Sequence, residues 1–549
     1  MSKKLKLTYY VLLISTPFLL MAFFSIASIG RLSSYEYDIR ENANNMLDEG
    51  QEIFRHDSFG SESFWGDALK LHTTIAGDSL GGVGPGLSPV QALALGLKVD
   101  VDALPQEVRD GILDGSIDLE DPATTLALLE LDAVVGIKGI INSPGNLSSV
   151  GITCALCHST VDDSFSNGIG KRLDGWANRD LNVGEIIAFA PDLSVVSNLL
   201  GVDEETVRTV ARSWGPGKFD AILFMDGKAF RPDGKSASTL LPSAFGLAGV
   251  NMTTYTGWGS ITHWNAFVGN LEMHGQGTFF DPRLNDAARF PVAAANNFGN
   301  VRNDPDLVTS KLAALQFYQL SIQAPKPPVD HFNAAAAEMG EIIFNGKAQC
   351  ATCHVPPIYT EPGYNMHTPE EIGIDNFQSE RSPTGMYRTT PLKGLWTREN
   401  GGFYHDGRFE TYGDVINHYN NHFNLGLTEN EKFNLTEFLK SLGDQDVVVG
   451  VFDNESDKEN IPKEFELFQN YPNPFNPATT IKYSVPRDGR LKLKVFDILG
   501  QEVKTIVDEY KRSGTYEVEF NTNGISSGVY IYKIEAENFS DSKKMIVLK

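Results

Sequence analysis

All four cysteines of this 549-residue chain fall in two copies of one pattern, Cys154-Ala155-Leu156-Cys157-His158 and Cys350-Ala351-Thr352-Cys353-His354. In a C-x-x-C-H site two thiols add to the vinyl groups of a haem, and the adjacent imidazole binds the iron from the proximal face. Two other readings use the same residues. A thioredoxin-like redox pair wants one C-x-x-C in a βαβ setting, and a four-cysteine zinc site leaves both trailing histidines without a role. Two complete matches that consume every cysteine point instead to two covalently attached c-type haems, with His158 and His354 as iron ligands. Four cysteines in so long a chain cannot make a disulfide scaffold.

The second attachment site has the clearer surroundings. Residues 334–347 read as a helix carrying Gly340 and Phe344 that ends just before the cysteine pair. Residues 428–442 read as an amphipathic helix, with Thr428 as N-cap and Glu431 three residues on. Helix, attachment loop and closing helix make a compact cytochrome c domain over residues 326–443. Around the first site, Gly50-Gln51-Glu52-Ile53-Phe54 resembles the start of the same first helix, yet Cys154 follows only about a hundred residues later. Residues 55–150 are therefore an insertion within a first haem domain of residues 31–325. Helical patterns run over 88–97, 105–113 and 124–140. Trp65 and His72, both in this insertion, read as core residues rather than ligands.

The two ends are address labels. Lysines at positions 3, 4 and 6 precede an apolar run of about 22 residues, so residues 1–30 form a cleaved signal peptide or a retained anchor. Either sends the chain across the inner membrane. From residue 463 onward the texture changes to short alternating strands, expected over 480–485, 491–498, 515–520 and 529–536, with Gly489, Gly500, Gly514 and Gly528 at the bends. This is a small β-sandwich, joined to the body by a linker over 444–462. The sandwich holds 13 basic and 12 acidic residues, whereas the whole chain carries a formal charge of −24. That balance excludes a general nucleic-acid or anionic-membrane binder and favours a basic or neutral protein partner. The fold class is mainly α: two cytochrome c-type haem domains followed by the β-sandwich.

Three segments of the tail, FQNYPNPFNP from Phe468, VFDILGQEV from Val495 and SSGVYIYKI from Ser526, resemble the C-terminal sorting domain of proteins exported by the type IX secretion system. That resemblance implies export to the outer cell surface or the medium, with the periplasm as the alternative, and the secretion machinery as a partner. A structural or carbohydrate-binding β-module is the other reading of the segment.

Thr390-Pro391-Leu392-Lys393-Gly394-Leu395-Trp396, followed by Gly402-Phe403-Tyr404-His405-Asp406-Gly407-Arg408-Phe409, resembles the second haem domain of bacterial di-haem cytochrome c peroxidases. The relatives of those enzymes include the one that matures the quinone cofactor of methylamine dehydrogenase. Leu240-Leu241-Pro242-Ser243-Ala244-Phe245 and Leu271-Glu272-Met273 resemble the family more loosely. The attachment cysteines lie 196 residues apart, which is more similar to the larger rubber-oxygenase branch. In that branch a tryptophan and a phenylalanine line the distal pocket, and by position Trp264 and Phe279 or Phe280 correspond.

The sixth ligand of each iron decides function, because an open position binds peroxide or dioxygen and a filled one leaves an electron carrier. For the second haem the family position falls at Tyr419. His418 is adjacent to it, His422 lies one turn on, and Met366 and Met386 are further alternatives. His405 is expected beside the second haem or at the contact between domains. Between His158 and His263 there is no histidine, so the loop ligand that some peroxidases remove is missing from its usual place. That favours an open first iron, with His263 or His274 as the residues that could reach it.

Glu272 is the candidate acid–base group, since splitting peroxide needs a carboxyl that moves a proton between its oxygens. Trp258 and Trp264 are expected to pack between the haems. Together these residues describe peroxide reduction, with electrons from a small soluble donor protein passed from the second haem to the first. An oxygenase acting on an apolar polymer or lipid and a non-catalytic di-haem carrier are the two alternatives. The peroxidase resemblance also implies a calcium ion between the haem domains and allows a homodimer.

Overall fold

The computed structural model describes residues 35, 38–143, 145–328, 330–444, 464–487, 489–511, 514–522, 525–536 and 539–548. The N-terminal segment 1–30 and nearly all of the 444–462 linker lie outside them. No helix among the described residues is long and apolar enough to cross a membrane. The chain divides into two compact units, one ending near residue 447 and one beginning there.

Both attachment sites of the first unit are framed by a pair of crossing helices, and the two crossings are built alike. Helix Ala334–Asn345 crosses Glu429–Ser441 where Gly340 meets the other backbone: a Cβ on Gly340 would lie 2.1 Å from the Asn434 carbonyl oxygen. One turn on, Phe344 and Phe438 close the contact edge to face, with ring centroids 5.1 Å apart. In the first half, the helix over residues 38–56 crosses Leu312–Ser321 in the same way. A Cβ on Gly50 would lie 2.1 Å from the Ala314 carbonyl oxygen, and Phe54 meets Tyr318 at 5.6 Å. Gly-x-x-x-Phe puts both residues on one helix face, so the glycine admits the neighbouring backbone and the ring seals the next turn. The closing helix of the first half, Leu312–Ser321, has a weak amphipathic pattern because it buries Gln319 and exposes Phe317, and the sequence reading omits it.

The insertion is only partly helical. Ser88 caps Pro89–Ala94 in a reciprocal capping box, Gln106–Asp114 follows Pro105, and Pro122–Glu130 starts on Asp121. The helix expected over 124–140 stops at Glu130. Asp132 and Gly136 then take left-handed backbone angles, and Ile137–Ser143 pairs antiparallel with Asn146–Ile152. Ile137, Ile140 and Ile141 are β-branched, and the left-handed Gly136 before them ends any helix. The hairpin delivers the chain directly to Cys154.

The second unit is a two-sheet sandwich. Glu466–Leu467, Ala478–Val485 and Gly514–Asn521 form one antiparallel sheet. The other runs, in spatial order, Glu502–Lys511, Gly489–Phe496, Gly528–Ala536 and Phe539–Val547. Alternate residues such as Leu491, Leu493, Val495 and Ile534 fill the space between. The strands absent from the sequence reading, Glu466–Leu467, Glu502–Lys511 and Phe539–Val547, are edge strands. The two long ones are rich in Lys, Glu, Asp and Ser, the composition that keeps an unpaired edge soluble and hides its alternation. The buried Tyr532 hydroxyl donates to the Phe468 carbonyl and accepts from the Asn470 amide, both at 2.8 Å, which ties the Pro/Asn-rich opening onto the sandwich.

Candidate functional site

Each C-x-x-C-H motif opens into its own cavity, so the four thiols cannot share one metal. The first cavity, about 540 Å³, is lined by Cys154, Cys157 and His158. The second, about 400 Å³, is lined by Cys350, Cys353 and His354. Burial pushes the thiols of Cys154, Cys157 and Cys350 up to about 12, the opposite of what a thiolate metal site or a redox pair needs. The His158 Nδ1–H donates to the Pro242 carbonyl at 3.0 Å, and the His354 Nδ1–H to the Tyr359 carbonyl at 3.2 Å. A carbonyl can only accept, so both rings keep the lone pair on Nε2, the tautomer an iron ligand requires.

The second cavity gathers buried cations. Arg179, Arg388 and Arg398 all line it, and each has at least one buried N–H without a partner. Burial lowers the pKa of all three, Arg388 and Arg398 to about 10. Uncompensated buried guanidinium groups are costly, so this wall fits a group that brings its own carboxylates, as haem does. Arg179 belongs to the first half of the unit and reaches across to the second site.

The second cavity also places the ligand candidates. Tyr419 lines it, as does His405, whose Nε2 is buried without a partner and whose ring stacks on Tyr387 at 5.3 Å. Burial brings the His405 pKa down to about 4. His418 and His422 are not there. Their Nε2–H groups donate to the carbonyls of Ile372 at 2.9 Å and Glu371 at 3.0 Å, because one helical face turns both rings toward the 369–373 segment. Met366 packs against Gly257 and Met386 is exposed, so neither lines the cavity. The expected result is that Tyr419→Phe changes the optical and EPR signature of the second haem while His418→Ala and His422→Ala leave it unaltered. A change in His405→Ala alone would move the ligand to His405.

The sequence reading missed His367, a buried ring lining the second cavity. Its Nε2 lies 2.6 Å from Glu361 and its Nδ1 2.8 Å from Glu371; the free Cys353 thiol first, then these two carboxylates, hold its pKa up near 10. With both nitrogens engaged, this ring is not free to bind iron. Among the described residues, Cys353, Glu361 and His367 are the only grouping close enough to share an ion. That cysteine belongs to the second C-x-x-C-H motif.

In the first cavity His158 is the only histidine among the lining residues. His263 lies 3.3 Å from Asp281, and His274 stacks on Phe64 at 3.6 Å, so neither reaches it. Glu272 does. It ends the π-helical turn Val268–Glu272, which continues the Ser260-capped helix Ile261–Phe267 from its C-terminal end, and such turns are frequent at functional sites. Glu272 is buried, lines the cavity, and neither of its carboxyl oxygens has a partner. Burial, with Asp220 second, holds its pKa well above the usual carboxylate range.

Trp258 and Trp264 line this cavity as well, packed around Phe267 at 5.3 and 4.7 Å. Neither lines the second cavity; the residue that lines both is Tyr255. Phe279 is buried beneath Phe267 and Phe280 is exposed, and neither lines the cavity. Both sit on the strand Thr278–Phe280, which pairs with Asn300–Arg302 instead. Trp65 is a core residue that lines the wall, its Nε1–H donating to the Met273 carbonyl at 3.0 Å, and His72 is absent from the lining.

Comparisons with known proteins bear on the tail and on the general kind of the remainder. Residues 469–548 match the secretion system C-terminal sorting domain, so the chain carries a sorting tail of type IX export. The chain is 24% identical over 232 residues to Cytochrome-c peroxidase IdrP1 of Denitromonas iodatirespirans, covering 32% of this chain and 60% of that protein. It is 25% identical over 187 residues to Methylamine utilization protein MauG of Methylorubrum extorquens, covering 30% of this chain and 52% of that protein. It thus spans roughly half to three fifths of the length of these curated relatives. A solved chain of Kuenenia stuttgartiensis hydrazine synthase matches over 45% of this chain and 92% of its own, at 16% identity. Its TM-score of 0.22 is too low to bear on the fold.

Proposed function

We propose that this exported protein is a di-haem oxidoreductase that reduces hydrogen peroxide in the first cavity with electrons arriving through the second. The observation that supports it is Glu272, a buried carboxyl without a partner, in a cavity whose only lining histidine is His158. Cys154 and Cys157 would hold one haem and Cys350 and Cys353 the other, with His158 and His354 on the irons. Bound haem supplies an iron that can take up a peroxide oxygen and exchange electrons one at a time.

The chain's own residues supply the rest. Burial favours the acid form of Glu272, so it acts as an acid: it donates its proton to the departing peroxide oxygen and recovers one from the other oxygen or from solvent. The reduction of peroxide to two waters takes two protons and two electrons. The apolar wall around Glu272, with Trp258 and Trp264, keeps bulk water from competing for that proton. Tyr255, common to both cavities, is the side chain through which the electrons pass. The donor is a small soluble protein met outside the inner membrane.

An oxygenase acting on an apolar compound is a second reading, and the insertion favours it. Leu71, Ile75, Leu93, Leu128 and Leu129 make much of the first cavity apolar, and it is larger than the second, at about 540 against 400 Å³. The test is an anaerobic optical titration of the one-electron-reduced holoprotein with one equivalent of hydrogen peroxide. Peroxide reduction predicts immediate reaction of a high-spin haem with loss of the ferrous band of its partner. Two unchanged low-spin spectra would leave an electron carrier. A stable dioxygen adduct of the fully reduced protein, with no reaction toward peroxide, would establish the oxygenase.

A further inference from the structure

Residues 175–180 of the first half are fixed on the first attachment motif and reach the wall of the second cavity. The Gly175 amide donates to the His158 carbonyl at 2.8 Å, and the Asn178 amide to the Cys157 carbonyl at 3.0 Å. The Asn178 side chain adds a bond to the Gly96 carbonyl at 2.9 Å. Asp180 then spans the two halves. It accepts from Lys98, which lines the first cavity, at 2.7 Å and from Asn400 of the second half at 3.1 Å. Between these anchors Arg179 is 8% exposed and lines the second cavity. Gly217 admits its backbone, since a Cβ there would lie 2.5 Å from the Arg179 carbonyl oxygen. The Nε and Nη1 of Arg179 are buried without a partner, as are Nη1 of Arg388 and Nε of Arg398 on the same wall. No carboxylate of that wall answers them. Glu371 is the only acidic residue among those lining the second cavity, and it is exposed and lies 2.8 Å from His367.

We propose that Arg179 is a positioning residue for the second haem: with Arg388 and Arg398 it holds that haem's carboxylates, and its charge makes the second iron easier to reduce. The potential of one site is thereby set in part by a segment fixed on the motif of the other. The inference rests on haem attachment at Cys350 and Cys353, and not on the reaction with peroxide. Reduction of a ferric centre removes one positive charge from it, so buried cations beside it favour the ferrous state. Three guanidinium groups outnumber the two carboxylates that a haem brings, which leaves positive charge over in an interior that salt screens poorly. Guanidinium is also the group whose fork of donors fits a carboxylate best. The first cavity has no such wall: no arginine lines it, and Lys98 is taken by Asp180.

The test is an anaerobic spectroelectrochemical titration of the full-length holoprotein, without peroxide, after its mass has shown two attached haems. Arg179→Gln is expected to lower one of the two couples by about 59 mV, a tenfold change in its ferric–ferrous equilibrium, and to leave the other at the parent value. Arg388→Gln, from the second half, is expected to lower the same couple. Arg179→Lys keeps the charge and should lower it by less. No shift in Arg179→Gln, equal shifts of both couples, or a shift of the couple that Arg388→Gln leaves alone would overturn the proposal, as would an equal fall in Arg179→Lys. Should Arg179→Gln not take up both haems, resonance Raman spectra of the parent still decide. The carboxylate bending bands of one haem should lie where hydrogen-bonded carboxylates do, and bands of free carboxylates on both haems would count equally against the idea. A parent chain carrying fewer than two haems would instead show the di-haem reading to be wrong. A chain inert toward peroxide with these shifts intact would remove only the peroxide reaction.

Discussion

Replacing Glu272 by Gln lowers peroxide turnover by about 10²- to 10⁴-fold while both haems stay attached and keep their resting spectra. That range is what a positioned acid–base group contributes. Glutamine matches glutamate in shape, so the walls formed by Trp258 and Trp264 stay in place and only the transferable proton is lost. The pH dependence separates this from a packing effect. Burial raises the folded-state pKa of Glu272, so the acid form persists to higher pH than for an ordinary glutamate. Turnover in the parent should fall as pH rises through that raised value, and this limb should vanish in the variant. Stability moves the same way. The native chain holds this proton more tightly than the unfolded chain does, so the stabilisation from this group is full below the ordinary glutamate pKa. It is lost as pH rises toward the raised one. Steady-state rates and thermal unfolding across the pH range check both, and a variant with parental turnover would remove Glu272 from the reaction.

A chain made without haem attachment is expected to lack a folded first unit while its C-terminal sandwich stays folded. An apolar cavity left empty costs about 24 cal/mol per Å³. The first cavity, about 540 Å³ and mostly apolar in its lining, leaves that wall without packing partners when no haem is attached. Arg179, Arg388 and Arg398 add the cost of buried guanidinium groups facing the empty second cavity. The sandwich has a core of its own and owes nothing to haem. Near-ultraviolet circular dichroism and calorimetry of the haem-free full-length chain should show one cooperative transition, belonging to the sandwich. Two transitions, with the aromatic signal of the holoprotein retained, would show that the cavities are stable without the groups they fit.

Residues whose role is local were legible from the sequence. The C-x-x-C-H motifs carry their chemistry within five positions. The Thr428–Glu431 pair starts its helix at the position the side chains dictate. Gly50-x-x-x-Phe54 and Gly340-x-x-x-Phe344 announce one helix crossing used twice. Glu272, picked out by a loose resemblance, does line the first cavity. Its neighbours show where such reading stops. Trp258 and Trp264 carry no mark telling which cavity they face. His418, His422 and Tyr419 share a few helical positions, and only the rotation of that helix against the 369–373 segment separates the ring in the cavity from the two bonded outside it.

Tyr255 and Arg179 were beyond sequence reading altogether. Arg179 reaches a cavity whose attachment cysteines begin at Cys350. Covalent chemistry, caps and turn conformations depend on a few neighbouring residues, so the sequence by itself determined the two C-x-x-C-H motifs, the helices flanking the second of them and the sorting tail. The wall between the cavities, the unpartnered carboxyl in one and the buried cations of the other were decided only by tertiary packing, because burial and charge pairing depend on which distant segments close over each residue.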